Sequence, residues 1–375
     1  MADHRLPQVD NLRTLMVAWV IGAHALMGYL AVGGWAYDEV NEVTFAPGAE
    51  LVVTALIGPS GLFVIGAFFF VSGLFTPESA ARKGRSAFAM DRIVRLGLPW
   101  AVSALVAWPL SVWLAYRVAG HEVTPWALVA EREPFLDSGA LWFALVLLIY
   151  SLGYALWPRR ATGSELNGHH LVLAAAGVAA ASFLTRLVFP ARSGQPGDLH
   201  LWQWPQCLGM FLLGIAAARS GWARALPDRL FRSSGVVAGV TVVFVPVAAL
   251  ALGITNAATG VDDFVGGWHW QALLTAVVEG VLVVSGSVWL LGFAQRRFTW
   301  NGPLATACAR AAFPAFVMQG PVLILLAIAQ RPLPLPAEAK APLLVVAALV
   351  ASFWLGHLMT ARGTRQVPAV RTVES

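Results

Sequence analysis

Apolar residues run through this chain in long blocks separated by short polar stretches. A helix needs about 20 apolar residues to cross the hydrocarbon core of a bilayer. Blocks of that kind fall near 12–33, 58–76, 96–116, 139–157, 170–189, 201–219, 234–254, 270–293, 303–329 and 341–360. The pattern predicts an all-α, polytopic membrane protein of about ten transmembrane helices. A short interfacial helix is expected around 49–57, ahead of the second span. Pro59, Pro109, Pro205, Pro246, Pro314 and Pro321 kink or end helices, which a bundle tolerates when neighbours satisfy the freed carbonyls. Because the blocks recur without a soluble-sized gap, residues 1–375 read as a single transmembrane domain.

The polar stretches alternate in sign. One set holds Arg82, Lys83, Arg85, Arg92 and Arg95, then Arg159 and Arg160, Arg224, Arg229 and Arg232, Arg296 and Arg297, and the tail Arg362, Arg365 and Arg371. The other holds Asp38, Glu39, Glu42 and Glu50, then Glu122, Glu131, Glu133 and Asp137, and Asp262 with Asp263. Of the 25 Lys and Arg, about 19 fall on the first side and about 6 on the second. The positive-inside rule then places both termini in the cytoplasm.

Composition strengthens this picture. The chain is 58% hydrophobic and 12% charged, against about half and a quarter in soluble domains. Its net charge of +5 reflects topology, so no nucleic-acid partner is expected. The first 13 residues are polar and lack a short apolar region ending in a cleavage site. The first helix is therefore expected to be retained. Cys207 and Cys308 lie inside apolar blocks and read as free, buried thiols.

Candidate chemistry begins in the first helix, where Arg13 and His24 are eleven residues apart. On an ideal helix that is about 16 Å along the axis and about 20° around it. Asp10 shares the stripe. His24 is then expected deep in the membrane, with Arg13 below it at the cytoplasmic surface. An intramembrane histidine reads as functional by default, although a neutral ring satisfied by a carbonyl or hydroxyl fits the same pattern. Arg92 and Arg95, three apart at the start of the third span, share a face and suit a phosphate-bearing ligand. Anchoring to lipid headgroups is the plainer role for Arg82, Lys83 and Arg85. Asp91 has the spacing to pair with Arg95.

Glu279, inside "AVVEGVLVVSG", either orients His24 or holds a substrate, or serves as hydrogen-bonded helix glue. The Trp and His clusters "HLWQWPQ" and "GGWHWQ" fit an interfacial aromatic belt better than a sugar-stacking surface. His357 reads as interfacial. The sequence contains no GxxxxGK[ST], HExxH, paired CxxC or GxSxG pattern, and no metal is expected.

At this point the chain resembles the acyltransferase 3 family of integral membrane enzymes. The resemblance is carried by "RLPQVDNLRTLMVAWVIGAH" with its Arg13/His24 spacing, and by "FFFVSGLF" followed by "RIVRLGLP" with Arg92 and Arg95. "SGALWFALVLL", "WQWPQCLGMFLLGIAAARSGW" and "AAFPAFVMQGPVLILLA" extend it along essentially the whole chain. The resemblance implies transfer of an acyl group, commonly acetyl, from cytoplasmic acyl-CoA. The acceptor is a hydroxyl of an envelope or secreted carbohydrate or glycolipid at the external face. His24 matches the essential histidine, as general base or transient acyl acceptor. Arg13, Arg92 and Arg95 match donor-binding arginines, with Ser72 beside them and Asp10 and Asp91 in orienting roles. Trp142, Glu279 and Gln319 are candidates for the acceptor side. Acetyl-CoA is the implied donor, and the bacterial cytoplasmic membrane the implied location.

Two positions depart from the family pattern. Gln319 stands where a late histidine is usual, and Ala140 where the HLWFL-type segment commonly has histidine. Glutamine hydrogen-bonds but does not shuttle protons near neutral pH. A degenerate, inactive relative is therefore one alternative. A transporter or flippase of a small or lipid-linked solute is another, since buried His, Arg and Glu also mark transport paths.

Overall fold

The computed structural model describes residues 6–31, 35–131, 135–157, 165–252 and 261–363. Glu133, Arg159, Arg160, Arg365 and Arg371, and the Arg362 side chain, lie outside the described residues. Among those described, every regular element is helical: α1 (Pro7–Met27), α2 (Pro47–Gly61), α3 (Val64–Lys83), α4 (Arg85–Val118), α5 (Pro125–Ala130), α6 (Trp142–Leu156), α7 (Gly168–Arg186), α8 (Trp204–Arg219), α9 (Asp228–Ala251), α10 (Asp262–Val265), α11 (Trp270–Arg297), α12 (Pro303–Gln330) and α13 (Ala337–Gly363). Proline at the first turn starts α1, α2, α5 and α12, where its missing N–H costs nothing. Asn167 and His170 form a capping box that opens α7.

A helix stands at each of the ten blocks, and α2 is the short helix expected before the second. Eight helical stretches of the described chain are long and apolar enough to cross a membrane, counting Pro47–Lys83 as one. The chain is an all-α, multi-pass membrane protein. The other two blocks hold α1, which carries Asp10, Asn11, Arg13 and His24, and α8, which has 16 residues.

One boundary differs in a way that matters. The apolar block reaches residue 33, but α1 stops at Met27 and the chain turns back at Gly28. Tyr29 and Leu30 remain buried because they fold onto the bundle instead of continuing the helix. His24 thus sits in the last turn of α1, beneath the connection to α2.

Packing explains several glycines. Gly73 in "FFFVSGLF" meets Gly214 of α8, and a Cβ on Gly214 would stand 2.9 Å from the Leu74 nitrogen. Small residues of this kind let membrane helices approach backbone to backbone. Gly73 therefore marks a helix crossing between α3 and α8. α1 packs against α11, α12 and α13, so the two ends of the chain share one wall of the bundle.

Candidate active site

His24 is fixed from two sides. Its Nδ1 lies 3.0 Å from Gln319 Oε1 on α12. The oxygen can only accept, so Nδ1–H donates and Nε2 carries the free lone pair. Its ring also stacks on Trp35, with centroids 4.3 Å apart and planes 15° apart. Gln319 is fully buried. The departure from the family pattern thus falls on the residue that sets the tautomer of His24.

Trp35 belongs to the connection between α1 and α2, and its backbone N–H donates to Asp38 at 3.1 Å. Its other neighbour is Trp108 of α4, centroids 5.0 Å apart and edge-on. Trp108 in turn donates its indole N–H to Asp137 at 2.7 Å. Gly139 and Gly320 flank the Trp108 ring so closely that a Cβ on either would press on the indole. Gly139 also has φ +51°, a left-handed backbone that favours glycine. The "SGALW" motif is therefore a seat for Trp108, which supports Trp35 over His24.

A second histidine joins the site. His200, in the connection between α7 and α8, stacks on Trp142 with centroids 4.7 Å apart. Its Nδ1 donates to the Asp198 carbonyl at 2.8 Å, leaving Nε2 free. It is close enough for its charge to act on His24. Gly197, Asp198 and His200 all have positive φ, and such backbone strain in non-glycine residues gathers at functional sites. Hydrogen bonds from Ser138 N to Gly197 O (3.1 Å) and from Gly197 N to Phe135 O (2.6 Å) tie this turn to the loop carrying Asp137.

On the basic side of the site the arginines separate. α4 contains two wide turns, Ile93–Gly97 and Ser103–Ala107, with i→i+5 bonding. Single π turns inside α-helices are frequent at functional sites. The first begins directly after Arg92 and contains Arg95, so straight-helix spacing no longer relates the two. Arg92 lies over the Phe88 ring at 5.0 Å, with its Nε buried and without a hydrogen bond. Arg95, 69% exposed, pairs with Asp91 at 2.9 Å, and Lys83 reaches the same carboxylate at 2.8 Å. Arg13 is exposed, beside Asp10, and its charge acts on Arg92. Ser72 is half-buried, and its carbonyl accepts from Thr76 Oγ1 at 2.8 Å. Phe68, Phe143 and Phe316 pack on one another at 4.7 to 6.3 Å, and Phe316 lies three residues before Gln319 on α12.

Of the roles the sequence left open for Glu279, the contacts match the last. Glu279 forms an ion pair with Arg186, both residues almost fully buried between α7 and α11. Arg186 also lies against Trp202 at 5.1 Å. This is the helix-glue arrangement, placed behind the turn that carries His200.

A clamp at the acidic end was not visible in sequence. Glu42 accepts from Lys340 (2.5 Å) and Tyr37 (2.8 Å), and Arg331 donates to the Val40 carbonyl at 2.7 Å. Ala46 N–H donates to Glu338 at 2.8 Å. The connection holding Trp35 is thereby fastened to the α12–α13 hairpin. Burial pushes the Glu42 carboxyl up, but the Lys340 and Tyr37 hydrogen bonds outweigh that and hold it below the usual carboxylate range. Among the described residues no group of three or more His, Cys, Asp or Glu could hold a metal ion.

A multi-helix membrane bundle with a tautomer-fixed histidine between a cationic end and an aromatic cover is the setting for group-transfer chemistry. A family model described as an acyltransferase domain matches residues 6–360. The chain belongs to the acyltransferase 3 family. No curated protein and no solved structure matches it.

Proposed function

We propose that the protein moves an acyl group, with acetyl the expected one, from acyl-CoA to a hydroxyl of a carbohydrate or glycolipid. The arginine end faces the cytoplasm in this reading, because it carries most of the Lys and Arg. The membrane is taken to be the bacterial cytoplasmic membrane. Arg13, Arg92 and Arg95 hold the phosphates of the donor, since guanidinium groups grip phosphate oxygens in pairs. The pantetheine arm runs past Phe68, Phe143 and Phe316 toward His24. The helical rise of about 16 Å from Arg13 to His24 is comparable to that arm.

The observation that carries the reading is the hydrogen bond from His24 Nδ1–H to Gln319. It leaves Nε2 as the basic atom. In the direct route Nε2 takes the proton of the acceptor hydroxyl as the oxygen adds to the thioester carbonyl. The C–S bond then breaks, and the CoA thiolate recovers the proton from the imidazolium. In the two-step route Nε2 adds to the thioester carbonyl and the C–S bond breaks to release CoA thiolate; the acceptor oxygen then displaces the imidazole from the acyl group, and its proton goes to the thiolate. His200 and Trp142, stacked on each other, are the residues this reading assigns to the acceptor.

The test is turnover of radiolabelled acetyl-CoA by purified protein with envelope glycans added, wild type beside His24→Ala. Transfer of label that disappears in the variant, with CoA binding retained, supports the proposal. Binding without turnover in the wild type points to an inactive homologue. No binding of acetyl-CoA or longer acyl-CoAs sinks the enzyme reading and favours a transporter.

A further inference from the structure

α12 and α13 touch where Gly356 meets Ala311 and Ala315. A Cβ on Gly356 would stand 2.6 Å from the Ala311 carbonyl oxygen. Beside this contact, at the start of α12 and the end of α13, lies a cavity of about 420 Å³. Its polar lining is Asn301, Thr306, Arg310, His357 and Thr360, and among the described residues no carboxylate lines it. Arg310 is exposed and makes no hydrogen bond or ion pair with any described residue. The position along the bundle is fixed by Asn11, whose side chain donates to the Phe298 and Trp300 carbonyls at 2.8 and 2.9 Å. Asn301 follows directly, so the cavity belongs to the end of the bundle that holds Arg13.

We propose that this cavity is a binding site for a phosphate-bearing ligand, with Arg310 as its anchoring charge. An unpaired guanidinium presents five N–H donors in a fork that matches phosphate oxygens. His357 adds a second nitrogen donor from the facing helix, and Asn301 and Thr306 add neutral polar contacts. The volume lies within the range of about 300–1,000 Å³ seen for small-molecule sites. That suits a phosphorylated head group more than a bare ion. The chemistry is shared by two sources, the nucleotide end of a soluble cofactor and the head group of an anionic lipid. The site does not depend on the acyl-transfer reading, since it rests on the cavity and its unpaired arginine alone.

The experiment uses the full chain in phosphatidylcholine nanodiscs, titrated with adenosine 3′,5′-bisphosphate in a calorimeter. A second arm measures retention of phosphatidylglycerol from mixed vesicles by native mass spectrometry. Arg310→Gln is expected to weaken binding of one probe by about tenfold or more. Arg310→Lys should recover part of it, because charge remains while the fork is lost. His357→Gln should weaken the same probe to a smaller extent. Loss confined to the bisphosphate assigns a nucleotide ligand, and loss confined to phosphatidylglycerol assigns a lipid. The proposal is overturned if the wild type binds neither probe. It is also overturned if Arg310→Gln and His357→Gln, with wild-type thermal unfolding, bind both unchanged. The readout is the loss of binding on Arg310→Gln and not turnover, so its failure is separate from failure of the transfer reaction.

Discussion

At the scale of single residues, the pair His24–Gln319 makes the sharpest prediction. Gln319→Leu removes the acceptor that fixes the His24 tautomer while keeping the volume close. Acyl-CoA turnover should fall about 10²-fold in kcat, with donor binding unchanged. Gln319→His should retain most activity and add a titrating group to the pH–rate profile. His200→Ala is expected to lower label transfer to glycan by about tenfold, again without loss of CoA binding. His24 and Gln319 could each be singled out in the sequence, one by its spacing from Arg13 and the other as a departure from pattern. Their contact could not, since 295 residues separate them. His200 was hidden for another reason. Within "HLWQWPQ" it looks like part of an aromatic belt, and only its stacking on Trp142 and the left-handed backbone at Gly197, Asp198 and His200 set it apart.

At the scale of elements, the Arg186–Glu279 pair joins α7 to α11 in a dry setting. Removing one member strands a buried charge, which costs about 3–5 kcal/mol. Replacing both with apolar residues of similar size is often neutral or stabilising. Glu279→Leu and Arg186→Leu should each lower the thermal midpoint in detergent clearly, and the double variant should recover most of the loss. Additive losses in the double variant would contradict this account. Hydropathy located the helices themselves well, because twenty apolar residues leave little choice of structure. It misplaced the end of α1, since Tyr29 and Leu30 are as apolar in a buried turn as in a helix. It also gave no sign of the π turns in α4, which interrupt the straight-helix spacing of Arg92 and Arg95. The structure gives them separate partners, Phe88 and Asp91.

At the scale of the molecule, the clamp around Glu42 couples the first connection to the last hairpin. The Glu42 carboxyl is held low, so its contribution is complete above its unfolded pKa of about 4.3. That contribution is lost as pH falls through the lower folded value. The cover over His24 should therefore loosen only on strong acidification, seen as a rise in Trp exposure by fluorescence quenching. Lys340→Met should move that loosening to higher pH, because the principal partner that depresses Glu42 is gone. The long apolar blocks made the multi-pass helical fold readable. The clamp was not, because Lys340 in "AEAKAPLL" looks like one more charge at the edge of a span.

The wall shared by the two ends of the chain has a consequence for how the protein is made. His24 leaves the ribosome among the first residues, with Trp35 soon after. Gln319, Arg331 and Lys340, which fix its ring and fasten its cover, come among the last. A nascent or prematurely terminated chain can hold the arginine end and most of the helices and still lack a finished site. The order of synthesis thus leaves the surroundings of His24 unfinished until α12 and α13 have been made.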